Sequence, residues 1–176
     1  MLGMAIAIKL DDGGPVLFPQ TRIGVHGQPF KMYTFRSMVT NAEVLKKKLA
    51  EENGQSDCFI FKMKDEPRII RVGHFIRKTS LDEFPQFFNV LKGDLLLVGP
   101  RPALPEEVAR YGSLYPARLL VKPGITGPWQ VSGRSDLSRE QSEHLDVSYI
   151  ENWSITGDLA ILAKTVLVVF HGTGSY

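Results

Sequence analysis

Residues 77–102, RKTSLDEFPQFFNVLKGDLLLVGPRP, restrict the fold more than any other stretch of the chain. Phe84, Phe87, Phe88 and Leu91 recur at helical spacing, and Gly93 supplies a stop. DLLLV then reads as a short buried strand or turn. The next residues, GPRPALP, cannot be regular, because their three prolines lack amide donors and fix φ. Ahead of the helix stand two adjacent acids, Asp82 and Glu83. Ser80 and Glu83 fit a capping box with Glu83 at N3. Alternatively, Asp82 is the N-cap and Pro85 sits at N3, where its missing amide costs no helical bond. Either way the acids lie in a first turn, where the helix dipole favours negative charge.

The flanking sequence supplies more short elements. VLFPQTRIG and FKMYTFRSM surround the Gly-bearing VHGQP and read as a β-hairpin, with Arg22 near one strand end and Arg36 near the other. TNAEVLKKKLAEENG, residues 40–54, reads as a helix whose three lysines form a solvated face or meet anionic lipid head groups. PEEVARYG and residues 139–149 are expected helices, separated by an irregular Gly/Pro loop over 121–136. DLAILAKTVLVVFHG is a helix apolar almost all round, as a buried or interface element is. Met1 to Ile8 is far shorter than the roughly 20 residues that span a bilayer. It reads as a frayed terminus or core strand, or as the stub of a longer apolar segment. With 176 residues and no repeats, the chain is expected to be one domain, 1–176. A net charge of +2 gives no ground for nucleic acid as a partner. Cys58 is the sole cysteine, so no internal disulfide forms.

The acid pair has a second reading beside the structural one. A carboxylate at a helix start sits among amides that also welcome phosphate. Adjacent acids raise one another's pKa unless cations offset them. Mg²⁺ does this, since it bridges carboxylates to substrate phosphates, and aspartate can attack phosphorus as a nucleophile. Three arginines on stiff segments add weight: Arg101 in GPRP, Arg134 in SGR and Arg36 in FRSM. Their planar forks match phosphate oxygens. There is no Walker A, G-x-G-x-x-G or G-x-S-x-G pattern. His74 is isolated in sequence, which argues against zinc.

GPVLFPQTRIG, FRSM, the 77–102 stretch, VKPGITGPWQVSGR and LDVSYIENWS…DLAIL follow in the order and spacing of the bacterial sugar transferases. The chain resembles this family of monotopic phosphoglycosyl transferases from about Ile6 to the C-terminus. The pairing of S-L-D-E with G-P-R-P at this spacing is specific. One departure is Thr34, where relatives often carry lysine before FRSM.

The resemblance implies an α+β fold, compact and mostly helical, with a small hairpin and amphipathic helices at a membrane surface. It implies transfer of a sugar 1-phosphate from a UDP-sugar to a polyprenyl phosphate, at the cytoplasmic face of the bacterial inner membrane. Asp82 would be the nucleophile, Glu83 would hold Mg²⁺, Arg101 would bind phosphate, and Arg134 and Arg36 would line the same site. Residues 1–8 would be the remnant of a re-entrant membrane helix, and the resemblance leaves room for an oligomer. The competing expectation is a catalytically silent module that binds nucleotide-sugar or anionic lipid.

Overall fold

The computed structural model describes residues 1–42, 44–45, 66–108, 115–133 and 137–171. Its first helix, α1 (Leu2–Asp12), ends at Gly13, whose φ of 72° is the left-handed value that glycine tolerates. The expectation of a frayed end or strand over Met1–Ile8 is therefore corrected. The inward residues Met4, Ile8 and Asp11 recur at helical spacing, while Leu2, Ile6 and Leu10 stay exposed. The hairpin is as expected. Strands β1 (Leu17–Ile23) and β2 (Pro29–Phe35) pair antiparallel from Leu17↔Phe35 to Ile23↔Pro29. Positive φ at His26 and Gly27 turns the chain between them.

The next described helix, α2 (Arg71–Lys78), starts where Asp11 Oδ2 accepts the Val72 amide at 3.0 Å. The end of α1 thus satisfies one of the amides that a helix start leaves without an intrahelical partner. Ile8, Phe35, Ile70 and Ile76 form a core between α1, β2 and α2, with Leu81 packed at its edge. Helix α3 (Gln86–Lys92) stops at Gly93, φ 82°, as the sequence suggests. Its burial is inverted. Gln86 and Asn89 face inward, while Phe84, Phe87, Phe88 and Leu91 are 46%, 47%, 55% and 84% exposed. Hydrogen bonds explain the inversion. Asn89 accepts the Tyr33 amide at 3.1 Å and donates to the Lys31 carbonyl at 2.7 Å and to Asp94 at 3.0 Å. A buried amide satisfied in this way bolts α3 to β2.

Strand β3 (Leu96–Val98) follows, then the short helices α4 (Pro105–Val108) and α5 (Tyr115–Arg118). Strand β4 (Gly124–Thr126) pairs with β3 in parallel, Leu96↔Gly124 and Val98↔Thr126. Residues 121–136 are therefore not irregular throughout, because they hold β4 and a helical turn, α6 (Pro128–Val131). Two features allow this. A Cβ on Gly124 would lie 2.2 Å from the Gly99 nitrogen, so glycine is required for the close approach. Pro128 begins α6, where its missing amide costs nothing. Helix α7 (Arg139–Glu151) opens with a reciprocal Ser138–Gln141 capping box.

Helix α8 (Ile155–His171) closes the described chain, with Ile155, Leu159, Val166 and Leu167 exposed. No described helix is long and apolar enough to cross a membrane. Among the described residues, helices with two two-stranded sheets agree with the α+β expectation. The helix expected over 40–54, its lysines and Cys58 lie almost wholly outside the described residues.

Candidate active site

Asp82 and Glu83 sit in a 3₁₀ turn, Leu81–Glu83, between α2 and α3. Thr79 closes α2 by donating its hydroxyl to the Phe75 carbonyl at 2.8 Å. Ser80 then takes a left-handed conformation, φ 53° and ψ 22°. For a residue with a Cβ this costs about 1 kcal/mol. The reversal directs Leu81 to the core and leaves both acids half-buried at the surface. The expected Ser80–Glu83 capping box is absent, since an N-cap side chain works from extended backbone and Ser80 is left-handed. Nor is Asp82 the N-cap of α3. That position belongs to Pro85, whose side chain is fully buried.

The turn sends two sequence neighbours towards different spaces. Asp82 lines a cleft of about 450 Å³ together with Arg77, Arg22, Arg36, Phe18 and Thr34. Glu83 lines a smaller cleft of about 110 Å³ with Arg101, Gln86, Trp129 and Gln130. Arg22 borders both. Its Nη1 donates to the Pro102 carbonyl at 3.0 Å and its Nη2 to Gln20 at 2.7 Å. Asp82 thus shares its cleft with Arg22, Arg36 and Arg77, and Glu83 shares its own with Arg22 and Arg101.

Arg101 stands between the proline-fixed loop and the small cleft. Its Nη1 reaches Glu107 Oε2 at 2.9 Å, and its guanidinium lies 5.2 Å from the centre of the Trp129 ring. Burial pushes the Glu107 carboxyl up, but Arg101 and the Leu104 amide hold it below the usual range. Glu107 therefore stays ionised at neutral pH.

Arg36 differs. It is 4% exposed and is clamped by both carboxylate oxygens of Asp12 and by the carbonyls of Pro15 and Met38. It forms part of the wall of the large cleft, with its head group turned to α1. Arg134 lies outside the described residues.

The structure therefore places Arg36 on the cleft that Asp82 lines and Arg101 on the cleft that Glu83 lines. It adds Arg22, Arg77, Trp129 and Glu107, which motif reading did not single out. Gln20 and Arg22 are two apart on β1 and so share a face, a signal that could have marked Arg22 as a site residue. Glu107 carries no such local mark, since its partner is fixed by the fold of the loop.

Among the described residues no three His, Cys, Asp or Glu side chains gather into a metal-binding cluster. Glu83 with the amide side chains of Gln86 and Gln130 is nevertheless a hard-oxygen donor set. Such a set fits Mg²⁺, which takes one or two carboxylates and completes its shell with water and substrate phosphates.

A family model described as bacterial sugar transferase matches residues 1–172. The chain is 50% identical over 93% of its length to the galactosyl transferase CpsE of Streptococcus agalactiae serotype III, spanning 36% of that protein. It is also 50% identical, over 94% of its length, to the undecaprenyl-phosphate galactose phosphotransferase of Salmonella typhimurium, spanning 35% of it. With the exopolysaccharide production protein ExoY of Rhizobium meliloti it shares 38% identity over its whole length, spanning 79% of that relative. The chain thus covers about a third of the first two relatives and most of the third.

Proposed function

The chain belongs to the bacterial sugar transferase family, and from that premise we propose that it transfers a sugar 1-phosphate from a UDP-sugar to a polyprenyl phosphate. The observation that carries the reading is the acid pair on a strained turn between two arginine-lined clefts. A carboxylate of Asp82 attacks the sugar-bearing β-phosphorus. A bond forms between Asp82 and phosphorus as the bridge to the α-phosphate breaks, and UMP leaves. An oxygen of the lipid phosphate then attacks the same phosphorus, forming the lipid diphosphate-sugar and returning Asp82 to its free form. Asp82 keeps the phospho-sugar in place between the two steps, so the acceptor enters after the nucleotide has gone.

Arg101 supplies a planar cation to the phosphate oxygens, and its stacking on Trp129 keeps the fork oriented. Arg134, on its glycine-rich loop, is proposed to add a further phosphate contact. Arg36 serves the same site as a wall residue that fixes the edge of the large cleft. Glu83, with Gln86 and Gln130 beside it, would hold Mg²⁺. When bound, the ion neutralises phosphate charge and stabilises the leaving group.

A membrane surface fits the apolar residues that the fold leaves outside. Phe84, Phe87, Phe88 and Leu91 follow the acid pair directly, and an apolar face of this kind beds into the boundary between head groups and acyl chains. The nucleotide-sugar donor assigns that surface to the cytoplasmic face of the inner membrane.

Isotope exchange tests the scheme. Labelled UMP should enter the UDP-sugar pool with Mg²⁺ present and the lipid acceptor absent. Exchange that requires the lipid would contradict a covalent intermediate. Nucleotide binding without turnover of any sugar in a panel would instead favour the silent module.

A further inference from the structure

We propose that the buried ion pair between Asp146 and Arg118 is a positioning device for Arg101, acting through the backbone of the proline-fixed loop and not on substrate. The inference rests on the proposed role of Arg101 as a phosphate ligand. Asp146, on α7, is 1% exposed, and Arg118, at the end of α5, is 7% exposed. Their charged groups meet at 2.7 Å. The same Nη2 of Arg118 donates to the carbonyl of Arg101 at 3.1 Å. Burial pushes the Asp146 carboxyl up to about 6, while Arg118 and Arg101 favour its charged form.

The surroundings show why a loop of this composition calls for such a device. Pro100 and Pro102 bring no amide donors, so the loop cannot fasten itself through a regular ladder. It is instead held from outside by its carbonyls. Pro100 accepts from the Gly124 amide at 3.0 Å, and Ala103 accepts from the Ile23 amide at 2.9 Å. Between them, Pro102 accepts from Arg22 at 3.0 Å and Arg101 accepts from Arg118 at 3.1 Å. Four consecutive carbonyls are thus pinned, and the one on Arg101 itself is pinned by Arg118.

Asp146 aims that guanidinium. An apolar pair of similar volume would stabilise a core about as well as a buried ion pair does. An apolar pair would not donate to a carbonyl lying between two prolines. The side chain of Arg101 leaves this pinned backbone towards Glu107 and Trp129. A shift of the loop would therefore move the guanidinium relative to the cleft and to the indole ring.

Trp129 gives a readout that does not depend on turnover. The chain has two tryptophans, and Trp153→Phe leaves Trp129 as the single reporter. In that background the paired replacement Arg118→Met with Asp146→Leu keeps the core filled and removes the donor to Arg101. We expect it to shift the emission of Trp129 and raise its quenching by acrylamide to the level seen with Arg101→Ala. Added to Arg101→Ala, it should change neither quantity further. In parallel, the rate of phospho-sugar transfer should fall by roughly a hundredfold, the scale set by a misplacement of about 1 Å. Arg118→Lys, which keeps a donor, should restore part of both signals.

Parent-like Trp129 emission in the paired variant would overturn the proposal. So would an equal change with and without Arg101, since a merely structural pair would act in both backgrounds. If the unaltered chain transfers no sugar, the reading of its function fails, and the Trp129 comparison still decides the positioning role.

Discussion

Arg36 and Arg101 look alike in sequence and play different parts in the molecule. Both stand at the edge of a strand or stiff loop, both lie near the acid pair, and both meet a carboxylate. Arg36 is buried, and Asp12, Pro15 and Met38 take up its head group from several sides. Arg101 keeps 27% of its side chain exposed, meets Glu107 through one nitrogen, and sets its guanidinium over the Trp129 ring at the small cleft. The difference teaches that what an arginine does is decided by how many of its donors the fold has already engaged.

The comparison can be broken most sharply at Arg36. Arg36→Met removes one partner of a largely buried pair and two donors to carbonyls, and should lower stability by about 3 kcal/mol in denaturant titrations. Arg101→Lys keeps a cation for Glu107 but loses the planar fork. It should cut the transfer rate at least tenfold, with a stability change of about 1 kcal/mol or less. If Arg101→Lys costs as much stability as Arg36→Met and leaves the rate intact, the contrast between the two sites fails.

Acidity sharpens the same contrast. The hydrogen bonds from Arg36 hold the Asp12 carboxyl below its ordinary value of 3.8. Its contribution to stability is present above that value and is lost as the pH falls through the lower folded one. Glu107 behaves likewise below its ordinary 4.5. Asp146 works in the opposite direction. Its pKa is raised to about 6 by burial, so its contribution is complete below about 4 and is lost as the pH rises through 6. Melting temperature followed from pH 3 to 8 should therefore fall steeply at the acid end, and Asp12→Asn should flatten that limb. An unchanged limb would remove Asp12 as its source.

The smallest effect concerns the inverted helix α3. Phe87→Ser with Phe88→Ser should leave the melting temperature nearly unchanged, because both rings already face outward. Binding to anionic lipid vesicles in a flotation assay should drop roughly tenfold, as expected when two half-exposed rings no longer bury apolar area. Equal binding by the double variant would move the lipid contact elsewhere.

Much of the fold was legible where the signal is local. The hairpin followed from alternation around a glycine loop, Gly93 marked the end of α3, and residues 139–149 fell inside α7. What could not be read depends on partners distant in sequence. Asn89 turns α3 around through Lys31 and Tyr33, more than 50 positions away. β3 finds β4 across two Gly/Pro loops because Gly124 permits the approach. For the site, the acids and Arg101 were visible as a motif. The 3₁₀ turn that parts Asp82 from Glu83, and the Asp12 that engages Arg36, were not. Neither leaves a mark at its own position in the sequence.

The central claim is that Asp82 carries the phospho-sugar, and intact-protein mass spectrometry tests it most directly. With Mg²⁺ and an accepted UDP-sugar, and without lipid, the chain should gain the mass of one sugar phosphate. Peptide mapping should place that mass on Asp82, and Asp82→Asn should show none. An adduct that persists in Asp82→Asn, or that maps to another residue, would contradict the account.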